Sequence, residues 1–159
     1  MSVKVERYKR EEYEKVQIEL DNPLLEQELD TVLSMLKKTD IDRMKPEDAK
    51  QFEDRIDRIV IEIQSIFSSQ KLYKLMLQLQ TMNPTLLQTL QNIVTSANEI
   101  LDTKNVKRKK NKFEDLVKKI KEAYGLLKRI IKETSELAPA VSVIAEAIIK
   151  VIKLILETF

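Results

Sequence analysis

One glycine in 159 residues is the feature that most limits what this chain can fold into. Only four prolines accompany it, whereas the tight hairpins of a β protein depend heavily on turn residues of these two types. Long stretches of Leu, Ile, Lys, Glu and Gln favour helix instead. We therefore predict an all-α fold, a helical bundle of five to six helices, in a chain long enough to bury one core.

Two missing residue types restrict the chemistry. The chain has no Cys and no His, which removes thiolate and imidazole metal ligands and the commonest general base. Glu53 and Asp57 lie four residues apart and are able to share a hard cation such as Mg²⁺, but Arg55 and Arg58 between and beside them favour ordinary surface ion pairing. No Gly-rich phosphate loop or nucleophile elbow is present. We predict a protein that is not an enzyme, with no catalytic residues, no cofactor and no metal.

Helix-start signals organise the chain. Residues 1–21 are dense in charge and predict a helical arm, and residues 22–159 predict a single helical-bundle domain. Asn22-Pro23 and Asn83-Pro84 each place an N-cap residue before a proline that is tolerated in the first turn. A long helix is expected after Pro46, kinked near Ser68. A further helix has a heptad seam of buried positions: Phe113, Val117, Ile120, Tyr124, Leu127 and Ile131.

Two sequence similarities share an offset of 61 residues. "NPLLEQELDTVLS" at 22–34 resembles "NPTLLQTLQNIVT" at 83–95, and "FED" occurs at both 52–54 and 113–115. A duplicated helix-hairpin unit, with repeats 22–82 and 83–143 closed by the last helix, explains both. The alternative is that any two amphipathic helices with Asn-Pro starts look alike.

The charge is divided unevenly along the chain. Residues 1–102 carry a balance of −5 and residues 103–159 a balance of +7, for a formal net charge of +2. This division suits head-to-tail self-association or an acidic partner. The alternative is that the two parts pack against each other.

The basic residues are concentrated after the helix predicted to begin at Asn83-Pro84. "DTKNVKRKKNK" predicts a basic interhelix linker over residues 103–112, and the cations continue along the next helix to residue 132. Such a stretch is able to bind an acidic protein partner, or the phosphate backbone of a nucleic acid without sequence preference; the alternative is a solvated loop. The candidate contact residues are Lys104, Lys107, Arg108, Lys109, Lys110, Lys112, Lys118, Lys119 and Lys121.

The most apolar segment is "PAVSVIAEAIIKVIKLILETF" at 139–159. On a helix, Ser142, Glu146, Lys150, Lys153 and Glu157 fall within one narrow arc, and charges at the bilayer centre cost more than the apolar residues gain. We therefore predict the central helix of the bundle, with an oligomer or partner interface as the alternative. The candidate core or interface residues are Ile144, Ile148, Val151, Ile152 and Ile155.

These features predict a structural or interaction protein that acts through protein–protein contacts, with a protein partner or with itself as a homo-oligomer. Backbone-type nucleic-acid binding through 104–132 is the alternative, and peripheral membrane association through 139–159 is a second, less expected one. Because the first residues lack an apolar signal region, a cytoplasmic protein is expected. Low Gly and absent Cys are typical of thermophilic sources or their viruses, whereas abundant Gln and Asn argue against that origin.

Overall fold

A computed structural model describes residues 14–133 and 139–159. Within them lie seven α-helices, one 3₁₀ turn and no strand, so the predicted all-α helical bundle is confirmed. Residues 14–20 are helical and form the described part of α1. The other elements are α2 (Pro23–Lys38), the 3₁₀ turn (Ile41–Arg43), α3 (Pro46–Phe67), α4 (Gln70–Met82), α5 (Pro84–Asp102), α6 (Val106–Glu133) and α7 (Pro139–Thr158). The part of the predicted arm at 1–13 lies outside the described residues.

The two Asn-Pro signals start helices as predicted. The Asn22 side chain accepts a hydrogen bond from the Leu24 N–H at 3.1 Å, and the Asn83 side chain accepts one from the Leu86 N–H at 3.0 Å. Each bond satisfies an amide that has no partner within its own helix. These local signals therefore fix the beginnings of α2 and α5.

The long helix expected after Pro46 is two helices. α3 ends at Phe67, and the Ser69 side chain accepts a hydrogen bond from the Leu72 N–H at 3.3 Å, which caps a new helix. Serine hydroxyls compete for backbone groups and favour helix ends over interiors. The expected kink near Ser68 is thus a complete break between α3 and α4.

One hydrophobic cluster draws side chains from all seven helices. The six seam residues predicted for α6, from Phe113 to Ile131, are all buried. α7 packs against α2, α3, α4 and α6, and the five residues predicted as core or interface are buried within it: Ile144, Ile148, Val151, Ile152 and Ile155. The C-terminal helix therefore occupies the core position that its composition predicts.

One residue of the polar arc on α7 differs from the prediction. Ser142 is only 3% exposed, whereas Glu146, Lys150, Lys153 and Glu157 are exposed. A single hydroxyl costs far less to remove from water than a charged group. The exposed ridge of α7 therefore consists of its four charged residues alone.

The described part of the arm is packed on the bundle. Val16 and Leu20 are buried in the common core. The buried Tyr124 hydroxyl donates to the Leu20 carbonyl and lies 3.4 Å from the Asn22 carbonyl. α6 thereby holds the junction between α1 and α2.

The 61-residue offset has structural counterparts in the first helix of each repeat. The buried residues Leu25, Leu29, Val32 and Leu36 of α2 correspond to Leu86, Leu90, Ile93 and Ala97 of α5, which are also buried. Phe52 and Phe113 both pack against Phe159, with ring centroids 5.7 and 5.6 Å away. The correspondence stops at Phe67, where α3 ends and α6 continues. The duplication itself stays a prediction.

Candidate interaction surface

The basic stretch is the beginning of α6, and the predicted linker over 103–112 is wrong. Only residues 103–105 separate α5 from α6, and the Asn105 side chain accepts a hydrogen bond from the Arg108 N–H at 3.0 Å. The linker was predicted because the stretch is polar and basic, and cations in a first helical turn also oppose the helix dipole. Carboxylates from other elements remove this conflict.

Lys109 shows this compensation most clearly. Its side chain is only 4% exposed, and its Nζ lies 3.2 Å from Glu53 Oε1 and 2.8 Å from Asp57 Oδ1. Burial alone lowers the pKa of Lys109, but the hydrogen bonds to Asp57 and Glu53 outweigh it and raise the pKa above its ordinary value. Lys109 is therefore a charged structural residue that joins α6 to α3.

Two further predicted contact residues also point inward. Lys110 is buried and donates from Nζ to the Thr39 carbonyl at 3.1 Å, at the C-terminal end of α2. A cation there satisfies a free carbonyl and favours the helix dipole. Lys119 donates to Ser96 Oγ at 2.6 Å. These lysines bind α6 to α2 and α5.

Three members of the set that reach solvent also have acidic partners. Lys107 lies 3.0 Å from Asp42 Oδ2, and the hydrogen bond and charge of Asp42 raise the pKa of Lys107. Lys121 pairs with Asp30, and Lys118 lies 3.9 Å from Glu114. Of the nine candidate contact residues, those whose side chains have no such partner among the described residues are Lys104, Arg108 and Lys112.

The long-range ion pairs explain the uneven charge division. Across residues 14–133 and 139–159, every ion pair between residues more than four apart joins an acid before residue 103 to a base after it. The pairs are Glu19–Lys153, Glu26–Lys128, Asp30–Lys121, Asp42–Lys107, Glu53–Lys109 and Asp57–Lys109. This geometry agrees with the interpretation in which the two parts pack against each other.

A different surface emerges from a segment that the sequence predictions passed over. Residues 63–98 contain no Asp or Glu and only two cations, Lys71 and Lys74, in a chain of which 34% is charged. The segment covers the end of α3, all of α4 and most of α5. We call its exposed side chains the acid-free face. Counting charges in a sliding window would have revealed it from sequence alone.

Large apolar side chains lie exposed on or beside this face. Tyr73 is 60% exposed, Leu77 is 47% exposed, and Met82 on the same helix is also exposed. Ile61, two residues before the segment, is exposed on α3. The other exposed large apolar residues among those described are Ile18, Leu24 and Met35. α4, a helix of thirteen residues, therefore carries three of these seven exposed apolar side chains.

The buried side of α4 and α5 holds the face in place. Leu72 and Leu79 anchor α4, and Leu86, Leu90 and Ile93 anchor α5 in the core. α4 packs against α5, α3 and α7, so the outer sides of α4 and α5 adjoin. The acid-free face is thus a surface to which three packed helices contribute.

A shallow groove of about 450 Å³ runs between α3 and α5 and is lined only by uncharged residues. Gln64 on α3 donates a hydrogen bond to Asn98 on α5 at its edge. Ile61, Phe67 and Val94 supply the apolar part of the lining. The groove extends the uncharged surface from α4 toward the end of α3.

The larger groove, about 710 Å³, lies between α1, α3 and α7 and has the opposite character. Its rim mixes both signs, with Glu62, Glu146 and Glu157 facing Lys15 and Lys150. The described residues contain no group of three potential metal ligands. No helix in residues 14–133 and 139–159 is long and apolar enough to cross a bilayer.

No protein-family model, no curated protein and no solved structure matches the chain. What the acid-free face can bind therefore follows from the chemistry of its own side chains.

Proposed function

We propose that the protein is a non-enzymatic helical interaction protein that binds another protein through the acid-free face. The observation that carries this proposal is the coincidence of charge depletion with exposed Tyr73, Leu77 and Met82. The cores of protein–protein interfaces are poor in charged residues and enriched in Tyr and Met. Tyr73 supplies a large contact area with few rotatable bonds, as interface hot spots do.

Catalysis has less support. In the described part of the chain, the groups with displaced pKa are Lys107, Lys109 and Tyr124. The first two shifts follow from ion pairs that hold helices together, and the third follows mainly from burial. None of these groups lines a described groove, as a catalytic residue in a cleft would.

The nucleic-acid and membrane alternatives also have less support. Lys109 and Lys110 are buried, and three of the other seven candidate cations, Lys107, Lys118 and Lys121, are paired with acids that repel phosphate. α7, the helix proposed for membrane association, is covered by four other helices and exposes only a narrow charged ridge. Neither alternative has an observation that favours it over the acid-free face.

Site-specific photo-cross-linking in cells that express the protein tests the proposal. A photoreactive amino acid replaces Tyr73 in one variant and the exposed Glu122 of α6 in a control. We expect covalent protein adducts at position 73 that disappear when Leu77→Glu is added, and few adducts at position 122. Equal labelling at both positions, no adduct at position 73, or adducts that survive Leu77→Glu overturn the proposal.

A further inference from the structure

We infer that the partner bound by the acid-free face is a second copy of this chain, in a two-fold symmetric dimer with α4 against α4. This inference rests on the proposed function, because it assumes that the acid-free face is an interface. The chemistry of the side chains on that face and their arrangement on α4 both favour a second copy as the occupant.

The polar chemistry of the face is self-complementary. Seventeen of the 36 residues at 63–98 are Gln, Asn, Ser or Thr, whose side chains both donate and accept hydrogen bonds. In a two-fold interface the same patch occurs on both sides and must therefore match itself. A patch of one charge sign would repel its own copy, whereas this face carries only two cations. The small formal net charge of +2 adds little long-range repulsion between copies.

The arrangement of α4 allows close approach of two copies. Tyr73, Leu77 and Gln80 lie at positions i, i+4 and i+7 and form one exposed stripe. When two such helices run antiparallel about an axis at Leu77, Lys74 faces Gln80 of the other copy and Lys71 faces Asn83. No lysine then meets a lysine, and the two Leu77 side chains meet at the centre.

The size of the segment fits a stable interface. Of its 36 residues, 19 are exposed and 7 are half-buried, and a standard interface uses roughly 20–30 residues on each side. An acidic partner protein is the competing occupant. It would find only Lys71 and Lys74 to pair with, so charge complementarity favours the second copy.

Because the chain has no native cysteine, an introduced cysteine is the only thiol able to form a disulfide, which permits a direct test. Leu77→Cys, under mild oxidation, should give a disulfide-linked dimer, because residues on a two-fold axis bring their Cα atoms within disulfide range. Glu122→Cys is the matched control on an exposed position of α6 and should stay monomeric. Size exclusion with light scattering should give the unmodified protein a mass near twice 18.6 kDa.

A charge-introducing pair of variants completes the test. Leu77→Glu should shift the mass to that of the monomer, because two carboxylates would meet at the axis, whereas Ile18→Glu, at a more exposed apolar position on α1, should leave the dimer intact. Circular dichroism verifies that both variants remain helical. If Leu77→Glu misfolds, the Cys variants decide the outcome.

The results separate the two proposals. A monomer at all concentrations, without a Leu77→Cys dimer, overturns the self-association; if adducts still form at position 73 in cells, the acid-free face binds a different protein. A dimer cross-linked through Glu122→Cys and unaffected by Leu77→Glu overturns the dimer through α4, and the adducts at position 73 then decide the proposed function. The absence of both dimer and adducts overturns both proposals.

Discussion

Lys109 Nζ on α6 lies 2.8 Å from Asp57 Oδ1 on α3, although the two residues are 52 positions apart in the chain. Their ion pair, completed by Glu53, is the least exposed of the ion pairs that join the acidic part of the chain to the basic part. The same contact removes Lys109 from the set of cations available to a ligand. The stability of the bundle and its surface chemistry are therefore linked at this residue.

Replacing Lys109 by Met should lower the free energy of unfolding by about 1–3 kcal/mol, less than for a fully buried pair because Glu53 and Asp57 retain some solvent access. Urea titration measures this as a lower midpoint with an unchanged slope. Arg108→Met is the control, since Arg108 is exposed and adjacent, and it should change stability by no more than about 0.5 kcal/mol. Equal effects of the two substitutions would show that the ion pair does not hold α6 to α3.

Because of Tyr124, the free energy of unfolding should decrease at alkaline pH. Burial, with smaller contributions from the charges of Glu26 and Asp21, raises the pKa of Tyr124 to about 12, against an ordinary value of about 10 in the unfolded chain. The folded state therefore retains the proton longer than the unfolded state does. Stability from this group is fully present below about pH 10 and falls as the pH rises toward about 12.

Tyr124→Phe tests the assignment. At neutral pH it should destabilise the protein by about 1–2 kcal/mol, because the carbonyls of Leu20 and Asn22 lose their donor. Urea titrations at several pH values between about 8 and 11.5 should then show a shallower alkaline decline than in the unmodified protein. Lys109 contributes a separate decline, since its raised pKa supplies stability that is lost as the pH rises above 10.5. Identical pH profiles for the two proteins would refute the role of Tyr124.

Because α7 lies at the centre of the bundle, truncating one of its buried side chains should greatly lower the free energy of unfolding. Ile152→Ala should cost about 2–5 kcal/mol, because Ile152 is fully buried and the bundle relaxes only partly around the lost atoms. Lys150→Ala, on the exposed ridge of the same helix, should stay within about 0.5 kcal/mol. A small loss for Ile152→Ala in thermal or urea unfolding would mean that α7 docks loosely.

The basic stretch predicts a weak salt dependence for any binding to nucleic acid. Of the twelve cations between residues 104 and 132, five have no acid or acceptor partner in the described part of the chain: Lys104, Arg108, Lys112, Arg129 and Lys132. At about 0.9 per phosphate neutralised, the slope of log K against log salt should not exceed about 4.5 in magnitude. A slope near 11, measured by fluorescence anisotropy on duplex DNA, would mean that the whole stretch is free to bind.

Local patterns in the sequence predicted the helices well for physical reasons. An Asn-Pro pair caps a helix through atoms within three residues, as the Asn22 and Asn83 side chains do. The seam from Phe113 to Ile131 follows from helix periodicity alone. The fate of Lys109 was not predictable in this way, because its partners lie 52 and 56 residues away and nothing near it in the chain identifies them.

The candidate surface was only partly visible in the sequence. The lack of acids between residues 63 and 98 is a property of the residue order alone. The exposure of Tyr73 and Leu77 is not, because a thirteen-residue helix with seven Leu, Met or Tyr residues offers several sides to the core. The packing of α4 on α5, α3 and α7 decides which side remains outside.

A concentration series of ¹H–¹⁵N correlation spectra tests the interaction surface most directly, because each backbone amide reports its own surroundings. As the protein concentration rises, we expect signals of exposed residues on α4 and the outer side of α5, including Tyr73, Leu77 and Asn92, to shift or broaden together. Signals of Arg108 and Lys112 should stay unchanged. Shifts centred on the beginning of α6 or on the charged ridge of α7, with α4 unaffected, would contradict the account.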